Sequence, residues 1–282
     1  MKVSVLVENS GIEGRHDISP EYGLSVHFDT GNQRILFDTG TSGVFAENAQ
    51  AMGIDIEAVD IAILSHHHFD HGGGLARFLK VNDHAPIYLR ACADQGHTIK
   101  VFAIIKRFIG IDTSLLERHQ NRFKMIRDET EVCPDFFLLT DLSGQHPRPK
   151  GNDRLWVRRD GSLIHDPFDH ELEMVIRQED GLVIVTGCSH SGILNMIDAA
   201  TTRFPNLPIK AVIGGFHLID NPLLKTMAGT RSEVEAIGQE MLDRSIGTVF
   251  SGHCTGDKAF AILKEVMGEN LQAFPTGSMT EV

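Results

Sequence analysis

The stretch SHHHFDHGGG at residues 65–74 decides the fold expected of this chain. Four imidazoles and one carboxylate fall within six consecutive residues, more polar groups than a protein core readily satisfies. Alternation in an extended segment places His66 and His68 on one side and His67 on the other. The glycines then let the chain turn, so that Asp70 and His71 can point back from the loop. One divalent ion can take His66 and His68, and a second can take Asp70 and His71; the alternative is a cluster of surface histidines.

This stretch follows one of five short apolar runs that share a design. Each run has three or four residues, mostly β-branched or aromatic, bounded by glycine or a polar cluster, which is typical of strands buried on both faces. The runs are 35–37, 61–64, 182–185, 211–213 and 248–250. Helical patterns follow at 44–52, 192–202, 230–244 and 258–267, and residues 1–8 indicate a first strand. The order predicts an α/β fold.

The ends of these runs carry metal-binding side chains. In open α/β sheets, ligands bind beyond the carboxyl ends of the strands, so several ends are expected to converge on one site. Catalytic zinc commonly takes three protein ligands and a water, so each ion still needs a third ligand. The later strand ends offer His190, His217 and His253 for that role.

The middle of the chain breaks the strand-to-helix rhythm. Helix-like stretches at 98–108 and 114–120 precede β-like pieces at 123–126 and 136–140, and a loop rich in Pro and Gly follows at 145–152. We therefore expect a main α/β domain formed by residues 1–89 and 166–282, with residues 90–165 as an inserted small α+β unit or lid. The alternative is that this segment is a solvent-exposed addition to the main domain. The stretch is locally basic through Arg148, Lys150, Arg154, Arg158 and Arg159.

Composition excludes several classes of protein. The 282 residues are 41% hydrophobic and 23% charged, which is ordinary for a globular protein. Lys and Arg number 26 and Asp and Glu 38, and the net charge of −12 argues against general binding to nucleic acid or an anionic membrane. No apolar stretch approaches the ~20 residues of a membrane span. Four separated cysteines without a C-x-x-C motif, and a start without a signal peptide's apolar centre, favour the cytoplasm.

The motif H-x-H-x-D-H after a strand, preceded by a strand that ends in Asp-Thr-Gly at 38–40, resembles the metallo-β-lactamase superfamily. The resemblance implies an αββα sandwich, here with a small α+β insertion, and one or two metal ions at a sheet edge. Four further stretches resemble the branch of 7,8-dihydropterin-6-methyl-4-(β-D-ribofuranosyl)aminobenzene-5′-phosphate synthase-like metal-dependent hydrolases. They are EYGLS at 21–25, TGCSHSGI at 186–193, GGFHL at 214–218 and GHCTG at 252–256.

The resemblance also implies roles for single residues. It makes His66 and His68 ligands of the first metal, and it makes Asp70, His71 and His253 ligands of the second. Asp38 would order the site through hydrogen bonds to a ligand, with a structural turn carboxylate as the alternative.

Two positions depart from the family pattern. Many relatives have a bridging Asp where this chain has Cys188, whose single soft sulfur would favour zinc; a buried packing residue is the alternative. The early lone histidine of glyoxalase-like branches is missing. We expect His190, at a strand end, to be the third ligand of the first metal, with His170 as the alternative. Cys254 neighbours His253 but is expected to pack.

Together these features predict a metal-dependent hydrolase or transferase that acts on a small phosphate-bearing metabolite. The cofactor is expected to be one or two divalent ions, zinc first, with manganese or iron as alternatives. Asp70 would orient the nucleophile, and His217 would contact substrate or act as a general acid, with a structural histidine as the alternative. The resemblance implies a pterin-like substrate and a transfer that expels pyrophosphate. A nuclease or phosphodiesterase of the same fold, and a noncatalytic metal-centred sensor, are the competing functions.

Overall fold

The computed structural model describes residues 1–92, 95–101, 105–221 and 224–282. They form two compact units. Unit 1 comprises Met1–Ile126, Trp156–Ile164 and Phe274–Val282, and unit 2 comprises Arg127–Leu155 and His165–Ala273. The sequence-based boundaries at 89 and 166 stay a prediction.

The strands follow one another closely along the chain. In order they are β1 (Lys2–Val7), β2 (Ser25–Asp29), β3 (Arg34–Phe37), β4 (Ile61–Ile63), β5 (Ile87–Arg90), β6 (Gln95–Val101), β7 (Ile105–Phe108), β8 (Phe123–Ile126), β9 (Thr130–Cys133), β10 (Phe136–Leu139), β11 (Leu155–Arg159), β12 (Ser162–His165), β13 (Glu173–Gln178), β14 (Gly181–Val185), β15 (Ile209–Gly214), β16 (Ile219–Asn221), β17 (Thr226–Met227), β18 (Thr248–Ser251), β19 (Leu271–Ala273) and β20 (Met279–Glu281).

The helices are fewer and mostly amphipathic. They are α1 (Val44–Ala51), α2 (Phe69–Gly72), α3 (Leu75–Val81), α4 (Thr113–Arg118), α5 (Ile193–Arg203), α6 (Arg231–Asp243) and α7 (Asp257–Met267), with 3-10 turns at Lys150–Arg154, His253–Thr255 and Gly268–Asn270. No helix among the described residues is long and apolar enough to cross a bilayer.

Unit 1 is built on a seven-stranded sheet in the order β20-β1-β2-β3-β4-β5-β8. Strands β3, β4, β5 and β8 are parallel neighbours, so their carboxyl ends lie at one edge. A core that includes Leu36, Phe45, Phe78 and Ile87 packs the helices against this sheet. The β3 and β4 ends deliver Asp38 and the 65–74 stretch to the same edge.

Unit 2 is built on a second seven-stranded sheet, in the order β19-β18-β15-β14-β13-β10-β9. Here β14, β15, β18 and β19 run parallel. Residues of β14 are fully buried on both faces, as the continuous apolar run predicts. The loops that carry the later histidines therefore leave one edge of this sheet.

The sequence-based elements agree with the structure in all but one place. The five buried strands, the first strand and the four helical patterns that follow strands are confirmed. The helix expected at 98–108 is wrong: the segment contains β6 and β7, paired antiparallel from Thr98↔Phe108 to Val101↔Ile105, and residues 102–104 lie outside the described residues. The β-branched side chains of Thr98 and Ile99 favour strand geometry over a helix.

Candidate metal centre

The histidine-rich stretch of unit 1 gathers its donor side chains at the end of β4. The ring centroids of His66 and His68 lie 4.6 Å apart, and those of His66 and His71 lie 4.2 Å apart. Asp70 and His71 lie on the single turn α2, with 3.9 Å between Asp70 Oδ2 and His71 Nε2. Two ligands that each lie about 2 Å from one ion can be at most about 4 Å apart, so this spacing is at the upper limit for a shared ion.

Asp38 orders these imidazoles from the end of β3. Its Oδ1 accepts the Ser65 backbone N–H at 2.7 Å, and its Oδ2 accepts the Ser65 hydroxyl at 2.7 Å. Oδ2 also lies 2.6 Å from His71 Nδ1. Because a carboxylate only accepts, His71 carries its proton on Nδ1 and its lone pair on Nε2. The buried carboxylate thus presents His71 Nε2 for coordination.

Ser65 extends this network to His66. Its hydroxyl proton is donated to Asp38, so the Ser65 oxygen accepts from His66 Nδ1 at 2.9 Å. His66 therefore also carries its lone pair on Nε2. His67 faces elsewhere, because its Nε2–H donates to the carbonyl of Arg90 at 3.0 Å. This division of the three consecutive histidines is the one that extended alternation predicts.

The glycines that follow the histidines serve close packing. A Cβ on Gly73 would lie 2.1 Å from the Thr41 carbonyl oxygen, and one on Gly74 would lie 2.2 Å from the Thr39 carbonyl oxygen. The N–H groups of Gly72, Gly73 and Gly74 donate to the carbonyls of His68, Phe69 and Gly40. Because these N–H groups already donate to backbone carbonyls, they do not form an anion-binding site.

Unit 2 gathers a second set of donors at the ends of β14, β15 and β18. One donor atom each from Cys188, His190 and His217 lies within 4.8 Å of the others, and the donor atoms of Cys188 and His253 are equally close. Cys188, His190 and His253 are buried, and His217 is half-buried. His170 is not part of this group: its Nε2 lies 3.2 Å from Asp166 Oδ2.

The strand ends that carry these residues have strained backbones. Four non-glycine residues there have positive φ: Asp38 at 61°, Ser189 at 56°, His217 at 47° and His253 at 50°. Each such conformation costs on the order of 1–3 kcal/mol and persists where surrounding structure enforces it. Strain of this kind concentrates at functional sites, and here it accompanies candidate ligands in both units.

Cys254 packs beneath the histidines of unit 2, as the sequence predicts. It is buried, and its sulfur accepts the backbone N–H of His217 at 3.2 Å. Burial acts to raise the pKa of its thiol. The contact with Cys188 and the neighbouring imidazoles of His253 and His217 outweigh burial and hold that pKa well below its usual value.

The sequence analysis missed two buried glutamates of unit 2, one of which contacts a candidate ligand. Glu171 accepts the backbone N–H groups of His190 and Ser191, each at 2.7 Å, and so fixes the turn that carries His190. Glu173 is fully buried, and neither of its carboxylate oxygens has a hydrogen-bond partner among the described residues. Burial, followed by the charge of Glu171, raises the pKa of Glu173 well above its usual value. The pattern ELEM at 171–174 could have signalled acids on a strand.

Most of the cations of the basic stretch are engaged internally. Lys150 pairs with Glu233 at 2.6 Å, and Arg154 pairs with Asp220. Arg148 donates to the Pro167 carbonyl and Arg158 to the Gly161 carbonyl. Three of these four contacts tie the stretch to segments outside it, and only the Arg158 contact is local.

The donor sets fit a divalent metal. Imidazole suits zinc and iron, carboxylate suits harder ions, and a thiolate selects softer ones. His66 and His71 present Nε2 lone pairs through tautomers that their neighbours enforce. The Asp38–His71 contact is the carboxylate–histidine arrangement that commonly orients a metal ligand. Buried His and Asp groups of unit 1, and buried His and Cys groups of unit 2, are thus able to bind metal.

Comparison with known proteins supports this interpretation. The family model described as "Metallo-beta-lactamase superfamily" matches residues 19–191. The chain is 30% identical over 286 residues to a Methanocaldococcus jannaschii protein named "7,8-dihydropterin-6-methyl-4-(beta-D-ribofuranosyl)-aminobenzene-5'-phosphate synthase", covering 96% of this chain and 91% of the relative.

Solved structures show the same fold. Tm1679, described as a metal-dependent hydrolase of the beta-lactamase superfamily, is 33% identical with a TM-score of 0.81, covering 100% of this chain and 99% of that one. Zn²⁺-bound PqqB from Methylobacterium extorquens is 13% identical with a TM-score of 0.57 and full coverage of both chains, a likeness of fold alone. The resemblance first noted in the histidine motif is confirmed, and the chain belongs to the metallo-beta-lactamase superfamily.

Proposed function

We propose that this protein is a metal-dependent enzyme, a hydrolase or transferase, that acts on a small phosphate-bearing metabolite. The observation that carries the proposal is the set of buried donors at the strand ends of each unit, several of them held in a metal-binding tautomer. Membership of an enzymatic, metal-dependent superfamily supports the same conclusion.

The proposal assigns His66, His68, Asp70 and His71 of unit 1 as metal ligands. From unit 2 it assigns His190, His253 and Cys188. Zinc is the proposed metal, because a thiolate beside imidazoles favours it over manganese or iron. When bound, a divalent ion would supply a water of lowered pKa and neutralise charge on a phosphate.

The chain's own residues perform the remaining tasks. Asp70, a buried carboxylate that is only 7% exposed, would orient the attacking oxygen. His217 is half-buried and its Nδ1 has no hydrogen-bond partner among the described residues, so it is available to bind an anionic oxygen or protonate a leaving group. Asp38 keeps both imidazoles in the metal-binding tautomer. It contacts His71 directly, and it acts on His66 through the Ser65 hydroxyl.

The substrate class is proposed from the relative in Methanocaldococcus jannaschii. Its printed name describes a synthase of a dihydropterin-linked phosphate. At 30% identity over 96% of this chain, a pterin-like substrate with a transferable phosphate-linked group is the first candidate. The cytoplasm is the proposed location, since none of the four cysteines forms a disulfide among the described residues. A small-molecule partner is proposed, without a role at membranes.

The test compares adjacent histidines. His68→Ala should lose bound metal and activity together while the protein stays folded, and His67→Ala should keep both, because His67 faces the Arg90 carbonyl. Metal content is measured on protein purified without chelator. Activity is measured on phosphomonoesters, phosphodiesters, pyrophosphates and dihydropterin pyrophosphates. Retention of metal and activity by His68→Ala would contradict the assignment.

The same measurements address the competing functions. A nuclease would need a basic path for the backbone, and the internal pairing of Lys150 and Arg154 disfavours one. RNA cleavage that disappears on neutralising the 148–159 stretch would support a nuclease instead. A fully metallated protein inert on every substrate class would support a noncatalytic sensor.

A further inference from the structure

We infer that Asn152 is the positioning residue that sets the tautomer and ring direction of His190. The part of the inference that concerns metal affinity rests on the proposed function. The tautomer itself does not. No motif in the sequence indicates a role for Asn152, which lies 38 positions before His190.

The amide orientation of Asn152 is fixed by the backbone of His190. Asn152 Nδ2 donates to the His190 carbonyl oxygen at 2.8 Å. A carbonyl oxygen only accepts, so the nitrogen end of the amide must face it. The oxygen end, Oδ1, then faces the His190 ring at 2.9 Å from Nδ1.

The tautomer of His190 follows from that orientation. Asn152 Oδ1 can only accept, so His190 must carry a proton on Nδ1. Neutral histidine then has its lone pair on Nε2, the atom through which it would coordinate a metal. In water the opposite tautomer, with the proton on Nε2, prevails for neutral histidine. Asn152 therefore reverses the default preference.

Two other contacts fix His190, one at its ring and one at its main chain. Phe168 stacks on His190 with 4.3 Å between ring centroids and 9° between planes. Glu171 holds the His190 backbone N–H at 2.7 Å. With Asn152 on the carbonyl and on Nδ1, both the main chain and the ring of His190 are fixed.

The turn that presents Asn152 is itself anchored. It is the 3-10 turn Lys150–Arg154, closed by the Asn152 N–H donating to the Pro149 carbonyl. Lys150 pairs with Glu233, and Arg154 pairs with Asp220. A Cβ on Gly151 would lie 2.8 Å from the His217 ring, so the turn packs closely beside a second histidine. The ion pairs of the basic stretch thus anchor the turn that presents the Asn152 side-chain amide to His190.

The test measures the tautomer and the metal affinity separately. Nitrogen-15 spectra of the metal-free protein should show His190 protonated on Nδ1, and Asn152→Leu should shift it toward the Nε2–H form. Zn²⁺ affinity, measured by competition with a chromophoric chelator, should fall about 10–100-fold in Asn152→Leu.

Asp153→Leu is the matched control, since Asp153 is an exposed residue of the same turn. It should leave both the tautomer and the affinity unchanged. If the metal-free wild type shows His190 protonated on Nε2, the inference is overturned. This test needs only the wild-type protein, so it stands even if Asn152→Leu does not fold. Unchanged Zn²⁺ affinity in a folded Asn152→Leu whose tautomer has shifted overturns the metal-positioning role. A wild type that keeps the Nδ1–H tautomer yet binds no metal refutes the proposed function instead.

Discussion

At the scale of single residues, Glu173 stands out as a buried acid that folding must neutralise. It begins β13, opposite Leu139, and its side chain lies on the same face as Val175 in the core of unit 2. Its oxygens find no hydrogen-bond partner among the described residues, so a charge there would be costly. The raised pKa is the consequence.

This acid makes stability depend on pH in a defined direction. The folded pKa is raised, so the stability that Glu173 contributes is fully present below its unfolded pKa near 4.5 and is lost as pH rises through the folded value. We expect Glu173→Met to raise the free energy of unfolding by about 1–3 kcal/mol at pH 7. The gain should shrink as pH falls toward 4.5.

Denaturant unfolding at several pH values measures this effect. Glu173→Gln is the control that removes titration while keeping the side chain's shape, and it should flatten the same pH dependence. A Met variant less stable than wild type at every pH would show that Glu173 has a stabilising partner.

At the scale of elements, the 65–74 loop depends on a backbone approach that only glycine permits. Gly73 has helical angles, φ −65° and ψ −29°, so its conformation suits any residue. The constraint comes instead from the Thr41 carbonyl oxygen, 2.1 Å from where a Cβ would lie. Side chains cannot relieve a clash with backbone.

Gly73→Ala should therefore destabilise the protein by about 1–3 kcal/mol and weaken metal binding, because the loop that carries Asp70 and His71 must move. Thermal unfolding and Zn²⁺ titration check both effects. Gly11→Ala is the control, since its nearest neighbour would lie 3.5 Å away, an ordinary contact. Equal behaviour of the two variants would refute this packing argument.

At the scale of the whole molecule, metal binding and folding should be linked. Donors that are oriented only in the folded protein bind metal better than the same side chains do in the unfolded chain. A metal at 100 times its dissociation constant then stabilises by about 2.7 kcal/mol.

Removing metal with a chelator should accordingly lower Tm by about 5–10 °C for a chain of this size. Restoring Zn²⁺ should return Tm to its original value. His68→Ala should show a smaller response to the chelator than wild type, and His67→Ala should respond like wild type. An unchanged wild-type Tm after complete metal removal would show that the ion does not bind the folded protein in preference to the unfolded chain, and it would contradict this linkage.

The sequence by itself determined the family and most of the architecture. Short buried strands and the H-x-H-x-D-H motif are local patterns, because strand burial and ligand spacing along one loop need only neighbouring residues. The helical pattern at 98–108 was misleading, because the described residues of this segment form the antiparallel strands β6 and β7. There the local pattern was ambiguous, and strand pairing decided the outcome.

Only the tertiary structure decided how the candidate ligands are oriented. Asn152 meets His190 across 38 positions of sequence, and Asp38 meets His71 across 33. The acids Glu171 and Glu173 became notable only through their burial. Hydrogen-bond direction and desolvation depend on which distant groups the fold brings together, so no pattern of adjacent residues records them.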